Sequence, residues 1–451
     1  MSAQRQTGPR KGRTLIGVVA AVAVALGALF FGAFTRVVDY TTSAGGADGN
    51  GLRRLAYFAD WNTANRGYSV KDVRDSGAAE RLTRLMWAFG EVSDEGRCFI
   101  DPEADQPWEI YQRRYDAGES VDGAADDYDQ ALAGSLNQLR KLQEEEPSLS
   151  ASISIGGWNT STYFSEAVRT EESRREFVSS CIDLWIRGDL PRLNDEPQGG
   201  QGAAAGIFDG IDLDWEWPGG SGHPDNVEHP DDPRNFTLVV QEFRRQLDAL
   251  EEETGQEYTL SVSLANDAEI IDASYEPEVF EPIDFATVQG YDFTGSWSRT
   301  TDHHSQLYAP SGDEEDPSSD RAVRQLLDHG LPPEKLVLGF PGFGRGWSGG
   351  SPEGFGRYAP ARGPAEGDYG EATDSYDDLK DRAGQRFLDP VHGAYWLYDG
   401  DEWWTYDTPE IVRMKGAYVR REELGGLMLW NLDMDPDAEL VEAMDESLKG
   451  G

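Results

Sequence analysis

The chain has 451 residues, with 83 acidic against 40 basic and a formal net charge of −43; a nucleic-acid partner is excluded, because a phosphate backbone needs a basic face. Hydrophobic residues make up 38% and aromatic residues 11% of the chain, enough for one large barrel or two to three ordinary domains. The acidity is spread along the chain and most basic residues are arginine, which suits solubility in concentrated salt, where self-repulsion is screened, and equally suits an ordinary acidic exported protein.

Taken in chain order, Arg5, Arg10, Lys11 and Arg13 precede an uncharged run, LIGVVAAVAVALGALFFGAF, from Leu15 to Phe34. Such a run is long enough to span a bilayer as a helix. It exceeds a usual signal-peptide core, and no A-x-A site follows it. Residues 1–36 are read as a signal peptide or an N-terminal membrane anchor, with the basic flank held in the cytoplasm. Either reading sends the rest of the chain outside, secreted or anchored to the outer face of the membrane. Small polar residues follow, and 37–51 read as a linker.

Short apolar runs of β character then recur at Arg54–Ala59, Leu85–Gly90, Leu149–Gly156, Ile207–Glu216, Tyr258–Leu264, Phe285–Tyr291, Leu336–Phe340 and Gly426–Trp430. Between them lie stretches with helical spacing, at Tyr128–Glu144, Glu171–Ile186, Pro233–Glu252 and Ala322–His329. Continuous apolar strands alternating with amphipathic helices indicate a parallel sheet covered by helices. Eight such units predict an α/β fold, a closed (β/α)8 TIM barrel over 52–450. The seventh connection is too long for one helix, and GAYWLYDGDEWWTYD (Gly393–Asp407) looks like β structure, so 348–420 are read as a small inserted α+β subdomain. Cys98 follows an early strand and Cys181 lies on the apolar side of a helix. The expectation is two separate cysteines, Cys181 buried as a small hydrophobe; one bridge is the alternative open to an exported chain.

The densest signal is FDGIDLDWEWPGG, Phe208–Gly220. Side chains alternate faces along a strand. Asp212, Asp214 and Glu216 share one parity and point into the barrel, while Ile211, Leu213 and Trp215 point at the helices. Catalytic groups of such barrels sit at the C-terminal strand ends, so Glu216 is uppermost at the mouth. Crowded, partly buried carboxyls raise one another's pKa. One of the three therefore holds its proton near neutrality, and Glu216 is the natural general acid. A calcium loop is rejected, because an EF-hand needs Gly at its sixth position and a turn, where this chain has Trp217 and a strand. His303 and His304 are adjacent and do not make a metal pair on one face; they read as a loop near the cleft rim. No phosphate loop, Ser-His-Asp set or dinucleotide fingerprint is convincing, and neither a metal nor another cofactor is expected.

The D-x-x-D-x-D-x-E pattern closing the fourth strand resembles the signature of glycoside hydrolase family 18, the chitinases. SISIGGW (Ser152–Trp158), QGYDF (Gln289–Phe293), LGFPGFGRGW (Leu338–Trp347) and GLMLWNLDMD (Gly426–Asp435) resemble the family's third-, sixth-, seventh- and eighth-strand motifs in the right order. The insertion matches the subdomain of the family's deeper-clefted branch. The resemblance implies hydrolysis of the β-1,4-linked N-acetylglucosamine polymer, with retention and without an enzyme nucleophile. In that scheme Glu216 protonates the glycosidic oxygen, Asp214 orients the acetamido N–H, Asp212 shares charge or a proton with Asp214, and Tyr291 donates its hydroxyl to the acetamido group. Asp292 supports the site. Asp209, of outward parity, is structural, and Ser154 and Gly156 give Asp212 a hydroxyl partner and room for close packing.

Sugar rings stack on aromatics, and Trp430, Trp158 and Trp217 are the candidate platforms, with Tyr57, Phe89, Gln289, Asp292 and Arg345 as further substrate contacts. Trp61, Trp87, Trp297 and Trp347 also lie beside the predicted mouth, and Trp403 and Trp404 either line a wall or simply pack. Phe343 stands where relatives often carry Tyr, which puts one cleft hydroxyl in doubt. A chitin-binding lectin on the same barrel is opposed by Glu216, which such relatives usually replace. An endo-N-acetylglucosaminidase acting on glycoprotein or cell-wall glycan is the other alternative. The expected partner is chitin or a chito-oligosaccharide, taken by a monomer.

Overall fold

The computed structural model describes residues 51–102, 106–220, 222–309, 316–350 and 357–449. The predicted export segment and all but the last residue of the predicted linker lie outside the described residues. Among those described, no helix is long and apolar enough to cross a membrane.

All eight expected strands are present: β1 (Arg53–Ala59), β2 (Arg84–Val92), β3 (Ser150–Gly156), β4 (Gly210–Asp214), β5 (Thr259–Leu264), β6 (Phe285–Val288), β7 (Leu336–Pro341) and β8 (Gly426–Trp430). Each pairs in parallel with the next, and β8 pairs with β1 through Arg53↔Gly426 to Ala56↔Leu429, which closes the ring. The strands are buried over nearly their whole length, as a sheet covered by helices requires. β4 is shorter than its apolar run because the chain leaves the sheet after Asp214, so Glu216 stands just beyond the strand end.

The helices α1 (Gly134–Glu145), α2 (Glu171–Cys181), α3 (Asp232–Thr254) and α4 (Ser319–Asp328) occupy the expected stretches. α1 begins six residues after the expected Tyr128, because Gly134 takes φ +63° and packs where a Cβ would lie 2.5 Å from the Ile110 and Tyr111 backbone. The α2 pattern continues past Cys181 as a wider turn, Ile182–Ile186, whose Trp185 is buried.

After β7 the chain turns into a second, antiparallel sheet. It is built on Phe343–Ser348, which pairs with Gly363–Pro364, Thr373–Ser375 and Glu402–Tyr406, and it carries the short helix Tyr376–Asp381. Trp347, Trp396 and Trp403 form its own apolar cluster. The helix α5 (Pro409–Arg421) follows and packs against α6 (Glu439–Lys449) beside β8. This α+β element between β7 and β8 is the insertion expected from the sequence.

The expectation of two separate cysteines is corrected: Cys98 and Cys181 form a disulfide across 83 residues. Cys98 sits on Cys98–Phe99, a strand hairpinned onto the end of β2, and its backbone N–H also donates to Ser180 Oγ at 2.9 Å. The hairpin brings the early cysteine over α2, a contact that strand and helix periodicity alone does not reveal. Closing so long a loop restricts the unfolded chain. Replacing both cysteines by serine is expected to lower stability by about 2–4 kcal/mol, measured by denaturant unfolding of wild type and variant under non-reducing conditions.

Candidate active site

The site begins with β4. Its register to β3 sets Ser154 beside Asp212 and Gly156 beside Asp214. A Cβ on Gly156 would lie 2.3 Å from the Asp214 carbonyl oxygen, so only glycine permits this approach. Trp215, just past β4, packs outward as its parity requires: it stacks on Phe164 at 5.2 Å and meets Phe236 of α3 edge-on at 6.0 Å.

The inward carboxyls form a graded series. Asp212 is fully buried, and its two oxygens accept from Ser261 (2.6 Å), Ser154 (2.7 Å) and Tyr57 (3.1 Å). Burial raises its pKa, and these hydroxyls offset the rise only in part. Asp214 is pushed up to about 7 by burial and then by Asp212, with Ser263 as the one hydrogen bond opposing the shift. Its Oδ1 makes no hydrogen bond. Glu216 is raised well above the ordinary carboxyl range, first by burial and then by Asp214, while a hydrogen bond from Gln289 opposes the rise. Its backbone is held at both ends: the N–H donates to Ser161 Oγ (3.1 Å) and the carbonyl accepts from Asn226 (2.7 Å).

Tyr291 enters from the end of β6. Its phenol is buried and its pKa raised, by burial and then by Asp214 and Glu216, so it remains a donor. Phe343 packs edge-on against it at 5.8 Å and brings no hydroxyl to the spot. Asp292 follows with φ +60°, and Arg345 grips both its oxygens at 2.8 Å. Burial would raise Asp292, but Arg345 and then His304 hold it at about 2.

These groups open on one cleft of about 1140 Å³, lined among others by Asp214, Glu216, Trp217, Tyr291, Trp158 and Trp430. Tyr57, Phe89, Gln289, Asp292 and Arg345 line it too, so every sequence candidate for catalysis or substrate contact reaches the same cleft except Asp212, which lies beneath it. Trp430 packs on Tyr57 at 4.9 Å and stacks on Phe89 at 5.7 Å, and Phe89 stacks on Trp61 at 5.8 Å. Asp209 lies away from the mouth, ion-paired with Arg84.

Several expectations are corrected. Of the two readings of Trp403 and Trp404 the packing one holds, since both are fully buried in the second sheet, and Trp87 and Trp347 are likewise core. Trp61 and Trp297 are the exposed members of that group and line the cleft. His303 and His304 do not form a rim loop. Both are buried, His303 bonded to Thr405 at 2.9 Å and His304 standing 3.7 Å from Asp292. Asp60, Glu91, Ser263 and Asn266, outside the motifs, also line the cleft. Their signal was available, since each lies at or just past the C-terminal end of a predicted strand.

Residues 53–435 match the family model Glycosyl hydrolases family 18. Chitinase C of Streptomyces lividans is 34% identical over 88% of this chain and 60% of its own length. The chain thus spans about three fifths of the curated relatives it first matches. The catalytic domain of psychrophilic chitinase B from Arthrobacter TAD20 superposes with a TM-score of 0.86 at 40% identity, over 90% of this chain and 98% of that one. An N-acetylglucosaminidase of the same family from Paenibacillus barengoltzii gives a TM-score of 0.69 at 26% identity, over 88% of this chain and 100% of that one. With the acidic strand end, the closed barrel and the insertion already in place, these matches make the chain a member of glycoside hydrolase family 18.

Proposed function

We propose that this protein hydrolyses the β-1,4 bonds of chitin, retaining configuration and using the substrate's own acetamido group as nucleophile. The observation that carries the reading is the carboxyl series, in which Glu216, its pKa raised by burial and by Asp214, lines the cleft beside a buried Asp214 whose Oδ1 makes no hydrogen bond. Glu216 gives its proton to the glycosidic oxygen as the C–O bond breaks. The acetamido carbonyl oxygen attacks the anomeric carbon and closes an oxazolinium ring. Asp214 Oδ1 accepts the acetamido N–H, and the negative charge it shares with Asp212 balances the cationic ring. Tyr291 donates its hydroxyl to the acetamido oxygen and holds it for attack, a positioning effect that can supply several kcal/mol. Glu216, now a carboxylate, takes a proton from the water that opens the ring.

The stacked rings of Trp430, Phe89 and Trp61 extend beyond one sugar, which supports a polymer over a single terminal unit. They also favour chitin over the endo-N-acetylglucosaminidase alternative, while the acid Glu216 opposes the lectin one. Export fits this substrate, with residues 15–34 as cleaved signal or retained anchor, and the disulfide fits an oxidising compartment.

Glu216→Gln is expected to bind chito-oligosaccharide with little change and to lose turnover by several orders of magnitude, read from kcat and from calorimetric binding; near-full activity would remove Glu216 from the mechanism. A substrate deacetylated at the reacting sugar should be cut poorly, since it lacks the internal nucleophile, and mass spectrometry of products from defined oligomers reads this directly. The pH dependence follows from the raised acid. Activity persists while Glu216 is protonated and falls as pH rises through its pKa. Asp214→Asn removes a negative neighbour that raises Glu216, so the alkaline limb of the residual kcat profile should move to lower pH. A limb that stays in place contradicts the coupling.

A further inference from the structure

One wall of the cleft carries acidic groups that the mechanism does not use. Asp60 directly follows β1 and precedes Trp61, and Glu91 stands two residues after Phe89 on β2. All four line the same cleft as Glu216. Trp61 and Phe89 lie nearly parallel, 26° apart, and Phe89 continues onto Trp430 at 20°. This is a stacking surface that leads from Trp430 to Trp61, and the two carboxyls adjoin it along the chain, Asp60 next to Trp61 and Glu91 two residues from Phe89.

Asp60 is only 7% exposed. Among the described residues, neither it nor Glu91 has a lysine, arginine or histidine partner; Gln106 donates to one Glu91 oxygen at 2.6 Å. Burial, followed by the Trp61 N–H that opposes it and then Glu91, leaves Asp60 at about 7, and Glu91 is also raised. A buried acid beside a half-buried one, without a cation, is costly, and a cationic ligand group relieves that cost. The chemistry that fits both features is an apolar sugar face bearing an ammonium group. A primary ammonium offers three donors and a positive charge, whereas an N-acetyl group offers one neutral N–H and a methyl.

We propose that Asp60 and Glu91 form a subsite for the free ammonium of a glucosamine unit stacked on Trp61 and Phe89, so that the cleft selects partially deacetylated chitin over the fully acetylated polymer. This rests on the chitin-hydrolase reading above and adds a specificity to it. Acetylation is required at the reacting sugar and disfavoured at this distal one, so the expected substrate is a mixed chain.

The test digests partially acetylated chitosan to low conversion with the full chain and sequences the products from both new ends. Wild type is expected to show glucosamine over-represented about tenfold at one fixed position on one side of the cut, equivalent to ~1.4 kcal/mol. Asp60→Asn and Glu91→Gln should each reduce that bias, and the ratio of kcat/KM on the mixed chain to that on fully acetylated chitin should fall with it. Random occupancy in wild type, or a bias that both variants keep, overturns the subsite while leaving the hydrolase reading intact. Failure to cut either polymer overturns both.

Discussion

A closed ring of strands has little room for charge, and this chain places three carboxyls from one segment inside it. Among the described residues no cation touches any of them. Hydroxyls satisfy Asp212, one serine opposes the shift of Asp214, and an amide meets Glu216. Negative charge has nowhere to go in such a setting. Burial therefore raises all three, Glu216 well above the ordinary carboxyl range, and Asp214 and Glu216 line the cleft while Asp212 lies beneath it. The apolar residues of opposite parity make this possible, because they anchor β4 so firmly that the carboxyls cannot turn outward.

Arg345, a cation of the same cleft, is engaged with Asp292. Arg345 lies on Phe343–Ser348, where the chain leaves β7 for the second sheet, and its register neighbours there are Thr373 and Thr405. The insertion is thus more than a wall: it fixes Arg345 against Asp292, keeps that carboxylate charged, and leaves Glu216 without a counter-ion. The buried tryptophans of the insertion, Trp347 and Trp403, hold this second sheet together and with it the arginine. A positioned ion pair beside an unpaired acid divides the cleft into one charged and one proton-bearing side, the kind of divergence in pKa that assigns acid and base roles.

Much of this was legible in the sequence because it rests on period and parity. Eight apolar runs separated by helical stretches imply the barrel, and the alternation through Ile211–Glu216 implies that the acids point inward. The family resemblance then supplied the partners on other strands, Tyr291, Ser154 and Trp430, which no local pattern relates to one another. What escaped were contacts made through irregular chain. The bridge from Cys98 to Cys181 depends on a hairpin of two residues beyond β2. The burial of His303 and His304 depends on the insertion folding back over them, and polar residues in tandem otherwise read as an exposed loop. Trp403 and Trp404 suited a cleft wall and simple packing equally in the sequence, and the need of a small sheet for its own core decides for packing. Asp60 and Glu91 escaped because single acids after a strand are common, and their lack of a cationic partner is a three-dimensional fact.

The claim on which the account stands is that Glu216 keeps its proton through neutral pH in the free enzyme. Titration of the side-chain carboxyl carbons in 13C-labelled protein, with Glu216 assigned by the signal lost in Glu216→Gln, measures this directly. A resonance that remains in the protonated position while surface glutamates have ionised, and that moves only at markedly higher pH, is the predicted result. A Glu216 signal that titrates together with the surface glutamates contradicts the account.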